Sequence, residues 1–183
     1  MQATSILRQE HELIQTVLDA LERGARRLGE GGTLPADFFT DAAEFIRGFA
    51  DGAHHRKEEG VLFKEMARHG FPEDSGPVAV MLYEHTEARR FTQELAAAAA
   101  RLKAGDAGAR DGVMMYAQAY VQLLRQHIMK ENNVLFTMAE RMLPEDGQDA
   151  VDEGFAQVER DEIGPAVHAR YRALAQRLRE QSA

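Results

Sequence analysis

The chain contains no cysteine and only five prolines among its 183 residues. Without thiols, disulfides, zinc fingers, iron-sulfur ligation and cysteine nucleophiles are excluded together, so any bound metal must be held by His, Asp and Glu. Long apolar runs are missing too. No stretch approaches the roughly 20 apolar residues of a membrane-spanning helix, and the N-terminal segment MQATSILRQEH lacks the apolar core of a signal peptide. The expectation is a cytoplasmic protein with no membrane partner. Positive charge is in short supply: 22 basic against 30 acidic residues give a formal charge of -8. The Lys and Arg residues are scattered, which leaves no electrostatic footprint for nucleic acid. With 44% hydrophobic and 28% charged residues, the length suits one well-buried domain rather than two.

Helix breakers are confined to a few places: Gly29 to Pro35, Gly70 to Pro77, Gly105 to Gly108, Pro144 to Gly147, and Gly164-Pro165. Between them lie stretches rich in Ala, Leu, Glu, Arg and Met, all strong helix formers. The spacing predicts helices at 4–28, 36–68, 76–104 and 109–142, then a C-terminal helical segment interrupted near Pro165. Apolar positions step by three and four, as in Leu7, His11, Ile14, Leu18 and Leu21 of the first helix. No segment alternates as a strand would. Long amphipathic helices on short connections fold back on their neighbours, so the expected architecture is an all-α, up-down-up-down four-helix bundle over residues 1–144. Residues 145–183 form an extension packed on its outside.

Each of the four seams carries a histidine where Leu or Val belongs: His11, His54, His85 and His127. Two carry a glutamate one turn later, Glu58 and Glu131. Burying six such groups uncompensated would cost several kcal/mol. The chain also repeats itself. His54-His-Arg-Lys-Glu-Glu-Gly-Val-Leu-Phe63 matches His127-Ile-Met-Lys-Glu-Asn-Asn-Val-Leu-Phe136 at His, Lys, Glu, Val, Leu and Phe, and Glu10-His11 recurs as Glu84-His85. Chance alone would supply roughly one His-x-x-x-Glu pair in such a composition; what lifts the signal is the repeat, the seam positions and the level. His11 and His54 flank the first turn, His85 and His127 the third, at comparable distances. Since an α-helix rises 1.5 Å per residue, antiparallel residues equally far from a turn share a height. The six side chains should meet at one point in the core.

Residues four apart on a helix face the same way, so each His-x-x-x-Glu pair offers a nitrogen and an oxygen to one site. Four imidazoles and two carboxylates suit two divalent or trivalent ions with the carboxylates bridging. Thiolate-free N/O ligation favours iron, and zinc or manganese would accept the same donors. With Glu10-His11, His54-His-Arg-Lys-Glu-Glu, Glu84-His85 and His127-x-x-Lys-Glu131 in place, the chain resembles the hemerythrin-like family, also called the HHE cation-binding domain, over most of its length. That resemblance implies a non-haem, oxo- or hydroxo-bridged di-iron centre binding a small diatomic ligand such as dioxygen or nitric oxide, with His11, His54, Glu58, His85, His127 and Glu131 as ligands.

Two departures stand out from the oxygen-carrying hemerythrins. Their third helix supplies two His four apart, whereas His85 is followed at that spacing by Arg89; their last pair ends in Asp at a spacing of five, whereas Glu131 stands at four. Fewer imidazoles imply more open coordination positions, hence redox or peroxide chemistry rather than stable oxygen carriage. The family's iron-sulfur repair members share the His-x-x-x-Glu pairs but commonly carry a cysteine-containing N-terminal module, absent from this sequence. His55 and Glu59 lie about 100° round the helix from the better-placed pair and read as boundary or outer-layer residues. Glu10 and Glu84 are candidates to hold a ligand imidazole through its second nitrogen. Tyr120 and Tyr116 are candidates to donate a hydrogen bond to a bound ligand, against the plainer reading of core tyrosines with a polar tip. His69 and His168 read as solvent-facing, and the tail as a cover without chemistry of its own. The expected function is a di-iron protein that binds a diatomic ligand or peroxide for sensing, storage or detoxification. The alternatives are a di-iron enzyme with peroxidase-like or oxidase activity, and an iron-holding protein without ligand chemistry.

Overall fold

The computed structural model describes residues 1–183, and all its regular structure is helical. Helix α1 spans Gln2–Gly29, α2 residues 38–68, α3 Gly76–Lys103, α4 residues 110–142, α5 residues 145–163 and α6 Gly164–Ser182. The expected boundaries differ from these by two residues at most in the first four helices. Turns fall where backbone freedom is supplied: Gly105, just after α3, has φ +92°, and Gly164 has φ +72° at the corner between α5 and α6. Only glycine adopts such angles without steric cost. Pro77 sits in the first turn of α3, where its missing N–H costs nothing.

Helices α1 to α4 form the antiparallel bundle: α4 packs on α1 and α3, and α3 on α2. The last two helices pack against its flank. Helix α6 packs along both α1 and α2, close enough that a Cβ on Gly48 would stand 1.6 Å from the Tyr171 hydroxyl. From α5, Asp152 accepts hydrogen bonds from the backbone N–H groups of Gln2 (3.0 Å) and Ala3 (2.7 Å). Those donors have no partner inside α1, so α5 caps the bundle's first helix.

The apolar interior is divided in two. A larger cluster gathers Leu18, Leu21, Phe45, Leu95 and Leu124 with Tyr171, Leu174 and Leu178 of α6. A smaller one gathers Leu7, Phe63, Met66, Val78 and Phe136 with Val151 and Phe155 of α5. Between them lies a layer of buried histidine and glutamate.

Helices α2 and α4 depart from regular α geometry at that layer. Each has a π-helical turn starting on its glutamate, Glu58–Leu62 in α2 and Glu131–Leu135 in α4. The internal repeat is therefore visible in the backbone as well as in the side chains. A third wide segment, Ile46–His55 in α2, has no counterpart in α4, where the matching residues are α-helical. π turns concentrate at functional sites because they change which residues face inward.

Candidate metal centre

Five imidazoles, not four, meet in the polar layer. His11, His54, Glu58 and Glu131 form one group whose donor atoms all lie within 4.8 Å of one another, and His55, Glu58, His85 and His127 form a second. Glu58 belongs to both. Its Oε1 lies 3.4 Å from His54 Nε2 and its Oε2 3.4 Å from His85 Nε2. Glu131 repeats the arrangement, with Oε2 3.1 Å from His11 Nε2 and Oε1 3.1 Å from His127 Nε2. Each carboxylate thus turns one oxygen to each side.

The outer nitrogen of every ring is occupied. His54 Nδ1 donates to Glu10 (2.9 Å), His127 Nδ1 to Glu84 (2.9 Å), His85 Nδ1 to Glu59 (2.7 Å) and His11 Nδ1 to the Asn132 side-chain oxygen (2.9 Å). His55 Nδ1 lies 3.4 Å from Asp51. Those partners only accept, so each Nδ1 carries a proton and each Nε2 is aimed inward as the nitrogen left to bind metal. The Nε2 atoms of His11, His54 and His55 and all four carboxylate oxygens of Glu58 and Glu131 are buried without a hydrogen-bond partner. His85 and His127 face each other Nε2 to Nε2 at 3.0 Å. Without metal a proton must lie between those two nitrogens, with the charged His127 ring donating to the neutral His85 ring, and a metal ion would take that proton's place. Buried polar groups left unpaired in such number are rare and costly, and a set of N and O donors converging on two points is what paired cations require. The residues fit metal.

Electrostatics say the same. Burial opposes the charged form of His54, but the Glu58 and Glu10 carboxylates outweigh it and hold the ring at about 10. His127 is raised to about 10 by Glu131 and Glu84 against the same burial penalty. The Glu131 carboxyl, despite burial, is held well below its usual range by His127 and His11. Without metal, protons must supply the positive charge that the buried carboxylates demand. His55 and His85 are pushed down by burial and by their imidazole neighbours, which keeps them neutral as donors.

A hemerythrin HHE cation-binding domain model matches residues 2–139. The chain belongs to that family. Curated relatives of the HHE domain include the uncharacterized protein Mb2018 of Mycobacterium bovis and the uncharacterized proteins Rv1995 and MT2051 of Mycobacterium tuberculosis. Each is 28% identical over 130 residues, covering 71% of this chain and 50% of the relative. The chain therefore spans about half the length of the curated relatives it matches. No solved structure matches it. This HHE domain is a metal-binding all-α bundle, and the buried His and Glu layer is where the cation fits.

Several expectations are corrected by the geometry. His55 is no boundary residue: it is 2% exposed and stacks on His85 with ring centroids 3.7 Å apart. The expectation assumed 100° of rotation between residues 54 and 55, whereas the wide turns of Ile46–His55 rotate less per residue and bring both rings inward. Arg89 does not leave a gap. It donates to Asp51 (2.7 Å) and Glu59 (2.7 Å), clamping the carboxylates behind His55 and His85. His168 is half-buried rather than solvent-facing, with Nε2 2.7 Å from Glu159, and the tail is therefore not devoid of polar chemistry. His69 is exposed, beside Glu65. Tyr116 is only partly buried and packs against the larger apolar cluster.

Tyr120 is fully buried, its hydroxyl has no partner, and burial raises its pKa well above the ordinary phenol value. With His55, Asp51 and Arg89 it lines a cavity of about 140 Å³ between α2 and α3. Sequence reasoning passed over Asn132 and Asp51. Asn132 was findable, since it occupies the repeat position of Glu59 and serves the matching ring.

Proposed function

We propose that this HHE domain holds two iron ions, with Glu58 and Glu131 bridging them, His11 and His54 on the first, and His55, His85 and His127 on the second. The observation that carries the reading is the division of both carboxylates, one oxygen to each imidazole group. Bound there, a bridged iron pair would supply a site for dioxygen, nitric oxide or peroxide. The protein's own part is to aim every Nε2 inward, to exclude bulk water, and to leave the first ion with fewer imidazoles than the second. That imbalance supports ligand binding at an open coordination position on the first ion, for sensing, storage or detoxification.

A second reading, a di-iron enzyme with peroxidase-like or oxidase activity, is favoured by Tyr120. Its hydroxyl is buried without a partner and its side chain lines the cavity shared with His55, which supports hydrogen-bond donation to a small molecule there. Elemental analysis of the aerobically purified protein, with its ultraviolet and visible spectrum, tests both readings. Two irons per chain with charge-transfer bands of a bridged ferric pair support the centre. Reversible spectral change with dioxygen or nitric oxide then supports a binder, and turnover of peroxide with a reductant supports an enzyme. No metal, and none taken up on anaerobic reconstitution, overturns both.

A further inference from the structure

The internal repeat builds the same outer layer twice. In the first half Glu10 accepts from His54 Nδ1 and pairs with Lys57, three residues after that histidine. In the second half Glu84 accepts from His127 Nδ1 and pairs with Lys130, again three residues on. The motif Glu-His followed by His-x-x-Lys-Glu is thus a self-contained device in which the lysine fixes the carboxylate that orients the ring.

The two copies meet different surroundings. Lys130 is 35% exposed, and its ion-pair partner is Glu84. Lys57 is completely buried beneath the C-terminal extension, and a second carboxylate reaches it: Glu159 of α5, at 2.6 Å. The other Glu159 oxygen is held by His168 of α6 at 2.7 Å, and the Phe155 ring lies 6.0 Å from the ammonium. A buried ammonium persists only with counter-charge and hydrogen bonds around it. The first half meets that need from the tail, whereas Lys130 of the second half stays partly open to solvent.

We infer that Glu159 is a positioning residue for the first ion of the centre, acting through Lys57 and Glu10 on the His54 ring, and that the C-terminal extension thereby makes the two halves of a duplicated site unequal. This rests on the two-ion reading above. The physical reason is that Glu10 divides its negative charge between Lys57 and His54. With Glu159 present, Lys57 is shared and Glu10 remains a strong acceptor for Nδ1–H, which raises the basicity of Nε2 as a metal donor. Without Glu159 the whole ammonium charge falls on Glu10, its bond to His54 weakens, and the first ion is held less tightly. Outer-layer partners of metal-bound histidine are worth about 10- to 100-fold in affinity. One link further out, the effect expected is roughly two- to tenfold on one ion.

The test uses the whole chain loaded with zinc, which gives sharp resonances, and ¹⁵N-labelled histidine. Glu159→Gln keeps size and acceptor but removes the charge. It should shift the His54 Nδ1–H resonance upfield, leave that of His127 in place, and speed the release of one zinc of two by roughly two- to tenfold on transfer to a chelator. Glu159→Asp, which restores charge on a shorter arm, should recover part of both effects. Lys130→Met should do the reverse, moving His127 and not His54. Thermal melts of the metal-free variants separate positioning from folding, because a merely structural role would lower the melt without selecting one histidine. Equal movement of both histidines, or of neither, in a protein that still binds two ions overturns the inference alone. A wild-type chain that binds no ion overturns the two-ion reading and this inference with it.

Discussion

Replacing His55 with leucine separates a metal ligand from a core histidine, because the two roles give effects of opposite sign in the metal-free and loaded forms. In the metal-free fold His55 is 2% exposed, its Nε2 has no partner, and its Nδ1 reaches Asp51 only at 3.4 Å. Leucine fills a similar volume without a polar atom to satisfy. An unpaired buried polar group costs about 1–3 kcal/mol, from which the lost stack on His85 must be subtracted. His55→Leu should therefore leave the metal-free protein between unchanged and about 1 kcal/mol more stable. On the two-ion reading, the second ion of the loaded protein would lose one of three imidazoles. Even indirect partners are worth about tenfold to a hundredfold, so its affinity should fall at least that far, roughly 1.4–2.8 kcal/mol. Binding to the folded state alone stabilises it, so the loaded melt should drop by a comparable free energy while the first ion stays. Paired calorimetric scans, metal-free and iron- or zinc-loaded, with elemental analysis of each, read both signs. Two tightly held ions in a variant whose two forms lose stability equally would refute the assignment and make His55 a packing residue.

Proton linkage gives a second expectation. His54 and His127 are raised from the ordinary histidine value of about 6.5 to about 10 in the metal-free fold. A raised folded-state value means that these rings stabilise the metal-free protein fully below about pH 6.5 and lose that contribution as pH climbs towards 10. Metal must displace the same protons, so affinity should rise by about tenfold per pH unit for each ion in that window while metal-free stability falls; pH-independent uptake would contradict it. His54→Ala or His127→Ala should lose metal and loaded-state stability together, read by elemental analysis and a melt, and unchanged metal content in both would sink the ligand assignment. At Gly24 a Cβ would stand 2.3 Å from the Phe38 ring, so Gly24→Ala should cost about 1–3 kcal/mol by overpacking despite alanine's higher helix propensity; a denaturant melt showing a gain would refute that packing. Tyr120→Phe should change stability by less than about 1 kcal/mol, since the hydroxyl has no partner to lose, and should leave metal content intact. An altered nitric oxide or peroxide spectrum in that variant would place the hydroxyl beside the ligand.

Much of this molecule was legible in one dimension. Helix limits followed from glycine and proline, the bundle from the three-and-four stepping of apolar residues, and the meeting of His11, His54, Glu58, His85, His127 and Glu131 from their shared distance to two turns. Such inferences succeed because α-helical rise and rotation are constants of the backbone. His55 escaped for the same reason reversed: its direction depends on a π-helical segment, Ile46–His55, whose widening no residue spacing records. Arg89 read as a missing ligand until its two carboxylate partners, 38 and 30 residues away, were seen in space. Glu159 and His168 belong to a tail with no motif, and only the packing of α5 and α6 against α1 and α2 carries them to Lys57. Local periodicity determined which residues could face the core. Which outer partners they meet there was decided by contacts between segments far apart in the chain, where the sequence has no period to read.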